Sequence, residues 1–272
     1  MKNFLHKHYF FRSLFRTGLL SFLFLDTIFS LKASNEVSKA TISPKAYFLN
    51  ISSLDFSQIP PPSAKNGSNG HNEELQILKD AMAARTKKQV TRATSAVRDS
   101  VFDYASVLGP NFNAQHLPIT ATLFTKVKSD AKLAIHAAKE EFHQRRPMTW
   151  KKMKAGEQRD GGYAYPSGHS TRGFLWAMLL ADIFPQHRKE IILEARKKAW
   201  NRVILGRHYP NDVYGGQRYG KYLAKQFLKS SNFQKDLVAV KQEVKGLNSL
   251  INIRPTNQIF NLKTGMDVND IL

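Results

Sequence analysis

The amino-acid sequence predicts a single all-α domain folded as a compact helical bundle, and three observations carry that expectation. Apolar residues recur at helical spacing over most of the chain from about residue 73 onward. No stretch alternates apolar and polar residues for long, as a half-buried strand would. Proline or glycine stands where one helical pattern has to give way to the next, and there are neither internal repeats nor signs of a second domain. At 272 residues the chain can bury a core without a metal or disulfide to hold it together. It has no cysteine, which excludes thiol catalysis, thiolate zinc sites and disulfide frameworks. The formal net charge of +20 draws anions of any kind, whether nucleic acid, acidic membrane surface or phosphorylated substrate, and does not choose among them.

Residues 1–33 have the order of a secretory signal peptide: Lys2, Lys7, Arg12 and Arg16 precede the apolar run Gly18–Leu25, with Ala33 at the cut. The run is shorter than the ~20 apolar residues that span a bilayer. Asp26 and Leu31 fit a signal less well and leave an uncleaved anchor as the alternative. Removing the segment takes away five Lys/Arg and one Asp and leaves +16. Residues 34–72 read as an N-terminal arm and loop, with Pro60-Pro61-Pro62 extended and Ser63–Asn72, which contains His71, rich in Gly, Ser and Asn.

A helical domain is expected over 73–245. Glu73 and Glu74, after Asn72 as a cap, open the first helical stretch, where the helix dipole favours acids. Leu75, Leu78, Met82, Val90, Val97, Val101 and Ala105 then make one or two helices that stop at Gly109-Pro110. A further helix starts at Pro118 and carries Leu123, Phe124, Val127, Ala131, Ala134 and Ala137 on one face until Pro147 ends it. The basic, glycine-flanked segment 145–159 reads as an active-site loop. Ser170–Phe184 is apolar on nearly every side and too short for a membrane span, hence a buried central helix. Pro185 stops it, a helix over Lys189–Leu205 follows, Gly206 permits a turn, and Pro210 starts a last helix through Phe227. Residues 231–272 read as a partly helical tail, of which 246–272 is a C-terminal extension.

Three short groups of residues carry chemistry. Lys139 and Arg146 are two helical turns apart, and Pro147 biases Arg146 out of the helical region; taken alone, a solvated basic face with a proline stop is the commoner reading. Pro166-Ser167-Gly168-His169 enters the buried helix. Ser167 offers a hydroxyl, Gly168 lets a ligand approach the backbone, the first-turn N–H groups attract an anion, and His169 is placed as a proton donor. The bland reading, a capped helix start, leaves that histidine unexplained. In the third group Asp212 lies one helical turn after His208, where a carboxylate fixes the imidazole tautomer, and Arg202 can grip phosphate oxygens. An oriented imidazole of this kind can attack phosphorus, although a structural His–Asp pair is the alternative. His136, Glu140 and His143 share a helix face as a metal site would require, but no thiolate or third placed histidine joins them, and a solvated polar face is the commoner explanation.

Taken in order, Lys139…Arg146-Pro147, Pro166-Ser-Gly-His169 and Arg202…His208…Asp212 resemble the signature of the type-2 phosphatidic acid phosphatase superfamily. More narrowly, the chain resembles the class A bacterial non-specific acid phosphatases. The likeness extends to the proline run, to Leu179-Leu-Ala-Asp-Ile-Phe-Pro185 and to Phe233-Gln-Lys-Asp-Leu237, and covers roughly Tyr47 to Val244. The resemblance implies a helical fold of the phosphatase/haloperoxidase kind. It implies hydrolysis of phosphomonoesters with broad specificity through a covalent phosphohistidine, with no metal or other cofactor. His208 would be the nucleophile, Asp212 its partner and His169 the general acid, with Lys139, Arg146, Ser167, Gly168 and Arg202 on the phosphate. Small phosphorylated substrates are the expected partners, with no specific nucleic acid and no membrane after signal removal; a homo-oligomer is left open, and the location is periplasmic or secreted. Three rivals stand beside this: a vanadate-dependent haloperoxidase, a lipid phosphatase of the same superfamily, and a non-catalytic basic nucleic-acid-binding protein.

Overall fold

The structure, a computed structural model, describes residues 46–62, 67–95, 99–147 and 162–247. Among these the chain is helical and forms no strand, as the periodicity predicts. Eight α-helices follow one another: α1 (Asn69–Ala83), α2 (Lys87–Ser95), α3 (Ala105–Leu108), α4 (Pro118–Phe142), α5 (Gly168–Ile183), α6 (Arg188–Ile204), α7 (Pro210–Lys229) and α8 (Ser231–Leu247). Residues 1–33, most of the loop 145–159 and the extension beyond 247 lie outside the described residues, so the expectations placed on them find no counterpart here.

α5 is the central helix, buried along most of its length from Ser170 to Ala181. α7 packs against it through two glycines. A Cβ at Gly216 would come within 2.7 Å of the Ser167 carbonyl oxygen and 2.8 Å of the Ser170 Cβ, and one at Gly220 within 2.8 Å of the Leu175 amide nitrogen. Those glycines let two helix backbones approach more closely than any side chain would permit. α6 covers a second side of α5, while α8 packs on α4 and α7.

Four sequence expectations need correction. α1 begins at Asn69, before Glu73, because Ser68 accepts the His71 N–H as its N-cap. His71 is therefore a buried helix residue against the Tyr209 ring, 5.2 Å between centroids, rather than part of a loop. α4 stops at Phe142, short of Pro147, because His143 adopts a left-handed conformation (φ 51°) and its N–H closes on the Lys139 carbonyl. Arg146 therefore does not share a helix face with Lys139. Finally, residues 231–247 form α8, whose Phe233, Leu237, Val240 and Val244 belong to the main core rather than to a tail.

Two buried or half-buried carboxylates tie distant segments together. Asp130, inside α4, accepts the N–H groups of Tyr47, Phe48 and Leu49 at 2.8, 2.7 and 3.1 Å, anchoring the arm. Glu243 of α8 accepts the Ile119 and Thr120 N–H groups at 2.7 and 2.8 Å, so another helix supplies the cap that α4 lacks locally.

Candidate active site

The ends of four elements meet at one place: the last turn of α4 and the strand-free segment after it, the start of α5, the last turn of α6 and the start of α7. Pro210 begins α7 at a position that needs no N–H, and Asp212, two residues on, accepts the Tyr209 N–H at 2.9 Å. The same Asp212 Oδ2 lies 3.3 Å from His208 Nδ1. Both side chains are almost fully buried, at 2% exposure each. From the other side Arg146 reaches in, its Nη1 lying 3.1 Å from His208 Nε2 and 3.2 Å from the Arg207 carbonyl, while its Nε bonds the Gly162 carbonyl at 3.1 Å.

This pair of contacts assigns the tautomer. A guanidinium has donors and no acceptor, so the contact to Nε2 is a hydrogen bond only if Nε2 is unprotonated. The His208 proton then resides on Nδ1, facing Asp212. Burial holds the imidazole well below its ordinary pKa, with the nearby charges of Arg146, Lys139 and Arg202 acting in the same direction, so His208 is neutral. Burial raises the Asp212 carboxyl to about 7, opposed by the Tyr209 N–H and by Lys139.

Lys139 arrives from the last turn of α4 and donates to the backbone carbonyls of Tyr163 and Ala164, the latter at 3.3 Å, which fixes the approach to Pro166-Ser-Gly-His169. Tyr165 precedes a cis peptide bond to Pro166 and donates its hydroxyl to the Pro60 carbonyl, so the proline run braces this loop. Ser167 is at the N-cap of α5 but makes no side-chain cap; its hydroxyl accepts instead from Ser170 at 3.1 Å, and its N–H bonds the Asp212 carbonyl oxygen at 2.9 Å. At Gly168 a Cβ would make only ordinary contacts, 3.4 Å to Arg172 and to Ile135, so protein packing alone does not demand glycine there. Arg202, 2% exposed, comes from the last turn of α6.

Every site residue named from the sequence thus lies on the elements that converge here, although Arg146 gets there from an extended segment rather than from the helix. The alternative trio does not form a cluster: His136, Glu140 and His143 are exposed, and among the described residues no group of three or more His, Cys, Asp or Glu side chains could hold a metal.

Sequence reasoning missed Asp99. Its Oδ2 is 3.6 Å from His169 Nε2, and it accepts from Arg172 Nε at 2.8 Å. Burial raises the Asp99 carboxyl, with Arg172 and Arg202 pulling it back down. The one available signal was Arg172 itself, since a charged residue in an otherwise apolar buried helix requires a counter-charge. Glu74 was missed in a similar way: its carboxylate accepts the Asn211 N–H at 2.7 Å in the first turn of α7.

Residues 107–235 match the PAP2 superfamily profile, a span that holds every site residue predicted from the sequence. The chain carries a PAP2 superfamily domain. Relatives include an acid phosphatase of Zymomonas mobilis, 25% identical over 68% of this chain and 73% of that protein. A non-specific acid phosphatase of Providencia stuartii is 26% identical over 75% of this chain and 86% of its own. A lipid A 1-phosphatase of Rhizobium johnstonii is 36% identical over a shorter stretch, 22% of this chain and 25% of that protein. Among solved structures, a transmembrane PAP2-type phosphatidylglycerolphosphate phosphatase from Bacillus subtilis aligns with 60% of this chain and 88% of its own, at 20% identity and a TM-score of 0.43.

Proposed function

We propose that the protein is an acid phosphatase that hydrolyses phosphomonoesters of broad range through a phosphohistidine on His208, without a metal. The observation that carries this reading is the double restraint on His208: a buried neutral imidazole whose Nδ1 faces Asp212 and whose Nε2 faces the Arg146 guanidinium. A nucleophile needs its lone pair available at the attacking atom, and a guanidinium beside that atom is where a phosphate oxygen would be held.

In this reading Lys139, Arg146 and Arg202, with Ser167 and the first-turn N–H groups of α5 from Gly168 onward, take the three non-bridging oxygens. Fixed cations and N–H dipoles stabilise the charge that develops on those oxygens. His208 Nε2 attacks phosphorus in line, the phosphorus–ester oxygen bond breaks, and His169 gives its proton to the departing alkoxide. Water then attacks the phosphorus, His169 takes the water's proton, and the phosphorus–nitrogen bond breaks to restore His208. Asp99, 3.6 Å from His169, supplies the counter-charge for its protonated form. Arg146 has to leave Nε2 for a phosphate oxygen before attack, so the resting contact is exchanged when substrate binds.

The similarity to non-specific acid phosphatases supports broad specificity and the class A assignment, and the signal-like N-terminus supports a periplasmic or secreted location. A lipid phosphatase is the second reading, favoured by the stretch shared with a lipid A 1-phosphatase. No described helix is long and apolar enough to cross a membrane.

Hydrolysis of water-soluble phosphomonoesters and of a long-chain phosphatidate, each in EDTA, tests the proposal together with intact-mass analysis of the protein quenched in alkaline denaturant, where a phosphorus–nitrogen bond survives. The expected result is turnover of soluble esters unaffected by chelator and a labile phosphate adduct that His208→Ala abolishes. Activity retained by His208→Ala overturns the mechanism, and turnover of phosphatidate alone establishes the second reading.

A further inference from the structure

A narrow cleft, with space of about 20 Å³, leads away from His169 along one face of α5, where Gly173 and Trp176 follow at the next two turns. Its other walls come from Asp99, Asp103 and Tyr104 on one side and from Lys198 and Arg202 of α6 on the other. His208 does not line it. In an in-line displacement the leaving group departs opposite the nucleophile and beside the general acid, so a space bordered by His169 and not by His208 is on the departing side.

Three features of this cleft are independent of one another. A Cβ built on Gly173 meets nothing within 4 Å, so the helix face is open at that point. Trp176 is 3% exposed, and its indole Nε1–H is buried without a hydrogen-bond partner among the described residues. An indole N–H can only donate, so it calls for an acceptor. Finally, Lys198 Nζ lies 3.2 Å from Asp103 Oδ2 and 5.1 Å from the centre of the buried Tyr104 ring, giving one wall an aromatic floor and a neutralised polar rim. The carboxylates of Asp99 and Asp103 accept hydrogen bonds, and Trp176 donates one. A hydroxyl is the small neutral group that can satisfy both kinds of partner. The space holds on the order of one or two water-sized groups, so an aromatic ring does not enter it.

We propose that this cleft is a leaving-group subsite that takes the hydroxyl-bearing carbon of a polyol phosphate, next to the ester oxygen. The proposal rests on the phosphatase reading above. It deepens that reading, because broad turnover of phosphomonoesters would then be graded by the leaving alcohol, with short polyol esters above alkyl esters of the same length.

The test compares kcat/KM for glycerol 3-phosphate, propyl phosphate and 4-nitrophenyl phosphate in the full-length protein and in two variants. Trp176→Phe keeps a ring and removes the N–H; Gly173→Ala puts a methyl into the open space. A neutral hydrogen bond corresponds to roughly 2- to 12-fold. The parent should therefore favour glycerol 3-phosphate over propyl phosphate by at least that factor, and Trp176→Phe should lower the ratio by about 2- to 12-fold, leaving only what the carboxylates contribute. Gly173→Ala should lower turnover of both short esters relative to 4-nitrophenyl phosphate, whose ring stays outside, by about tenfold or more. Ala is the better helix former, so this variant is expected to fold and melt no lower than the parent, and it decides the matter if Trp176→Phe does not fold. A parent without the polyol preference, or variants that lower all three esters alike, overturn the subsite while leaving the phosphatase reading intact. A parent that hydrolyses none of the three removes both.

Discussion

Replacing Asp212 by Asn should slow catalysis and at the same time make the protein more stable at alkaline pH. Burial moves the Asp212 carboxyl from an ordinary 3.8 to about 7. The folded protein therefore holds this proton more tightly than the unfolded chain, and stability falls as pH rises from about 4 through about 7. At about 1.4 kcal/mol for each pKa unit, the charged carboxylate costs on the order of 4 kcal/mol above pH 7. His208 has the opposite sign: its folded value lies below the ordinary 6.5, so its contribution is lost as pH falls below 6.5. Asn removes the first dependence and leaves the second. The stability difference between variant and parent should thus start near zero at about pH 4, grow to a few kcal/mol by pH 7 and then level off. Activity responds differently. Tyr209 N–H and His208 Nδ1 both face the same oxygen, Oδ2, so the Asn oxygen that keeps the Tyr209 N–H still accepts from Nδ1, but the negative charge that stabilises the cationic imidazole formed on attack is gone. A fall in kcat on the order of 10²-fold is expected, since a hydrogen bond to a charged partner is worth about 1.5–3 kcal/mol. Urea unfolding at several pH values and steady-state hydrolysis of 4-nitrophenyl phosphate read the two effects. A stability difference that does not change with pH, or a kcat within tenfold of the parent, refutes the reasoning.

His169→Ala should cost on the order of 10²- to 10⁴-fold in kcat for alkyl phosphates but far less for 2,4-dinitrophenyl phosphate, whose leaving group needs no proton; equal losses would deny His169 the role of general acid. Gly216→Ala would place a Cβ 2.7 Å from the Ser167 carbonyl oxygen. The start of α5 has to move, which should destabilise by about 1–3 kcal/mol and raise KM for every ester, visible in melting and kinetics together. Asp130→Ala leaves the Tyr47, Phe48 and Leu49 N–H groups without their buried acceptor, so destabilisation on the order of 3 kcal/mol or more and protease cleavage within 46–62 are expected. A variant as resistant to protease as the parent would show that the arm is held by other contacts.

The parts of the site that a single helix places were legible in the sequence. His208 and Asp212 are one turn apart, Ser167 to His169 open a helix whose apolar run is visible, and proline marks the beginnings of α4 and α7. What failed were features decided by another segment or by an unusual backbone conformation. The Ser68 cap of α1 is hidden in a stretch whose composition reads as loop, and the end of α4 depends on the left-handed turn at His143, a residue type that gives no such signal. The spacing of Phe233, Leu237, Val240 and Val244 was available as a helical stripe, but its membership of the core becomes evident only with α4 and α7 in place.

The same division separates identity from control at the site. Sequence spacing could pair His208 with Asp212, yet which nitrogen of His208 bears the proton is decided by Arg146, 62 residues away and on a segment outside any helix. Asp99 and His169 are likewise brought together only by the fold. A carboxylate one turn away is compatible with either ring nitrogen facing substrate; a guanidinium on Nε2 is compatible with one. Protonation states are therefore properties of the long-range contacts, and Arg146, in exchanging His208 Nε2 for a phosphate oxygen, couples the arrival of substrate to the release of the nucleophile's lone pair.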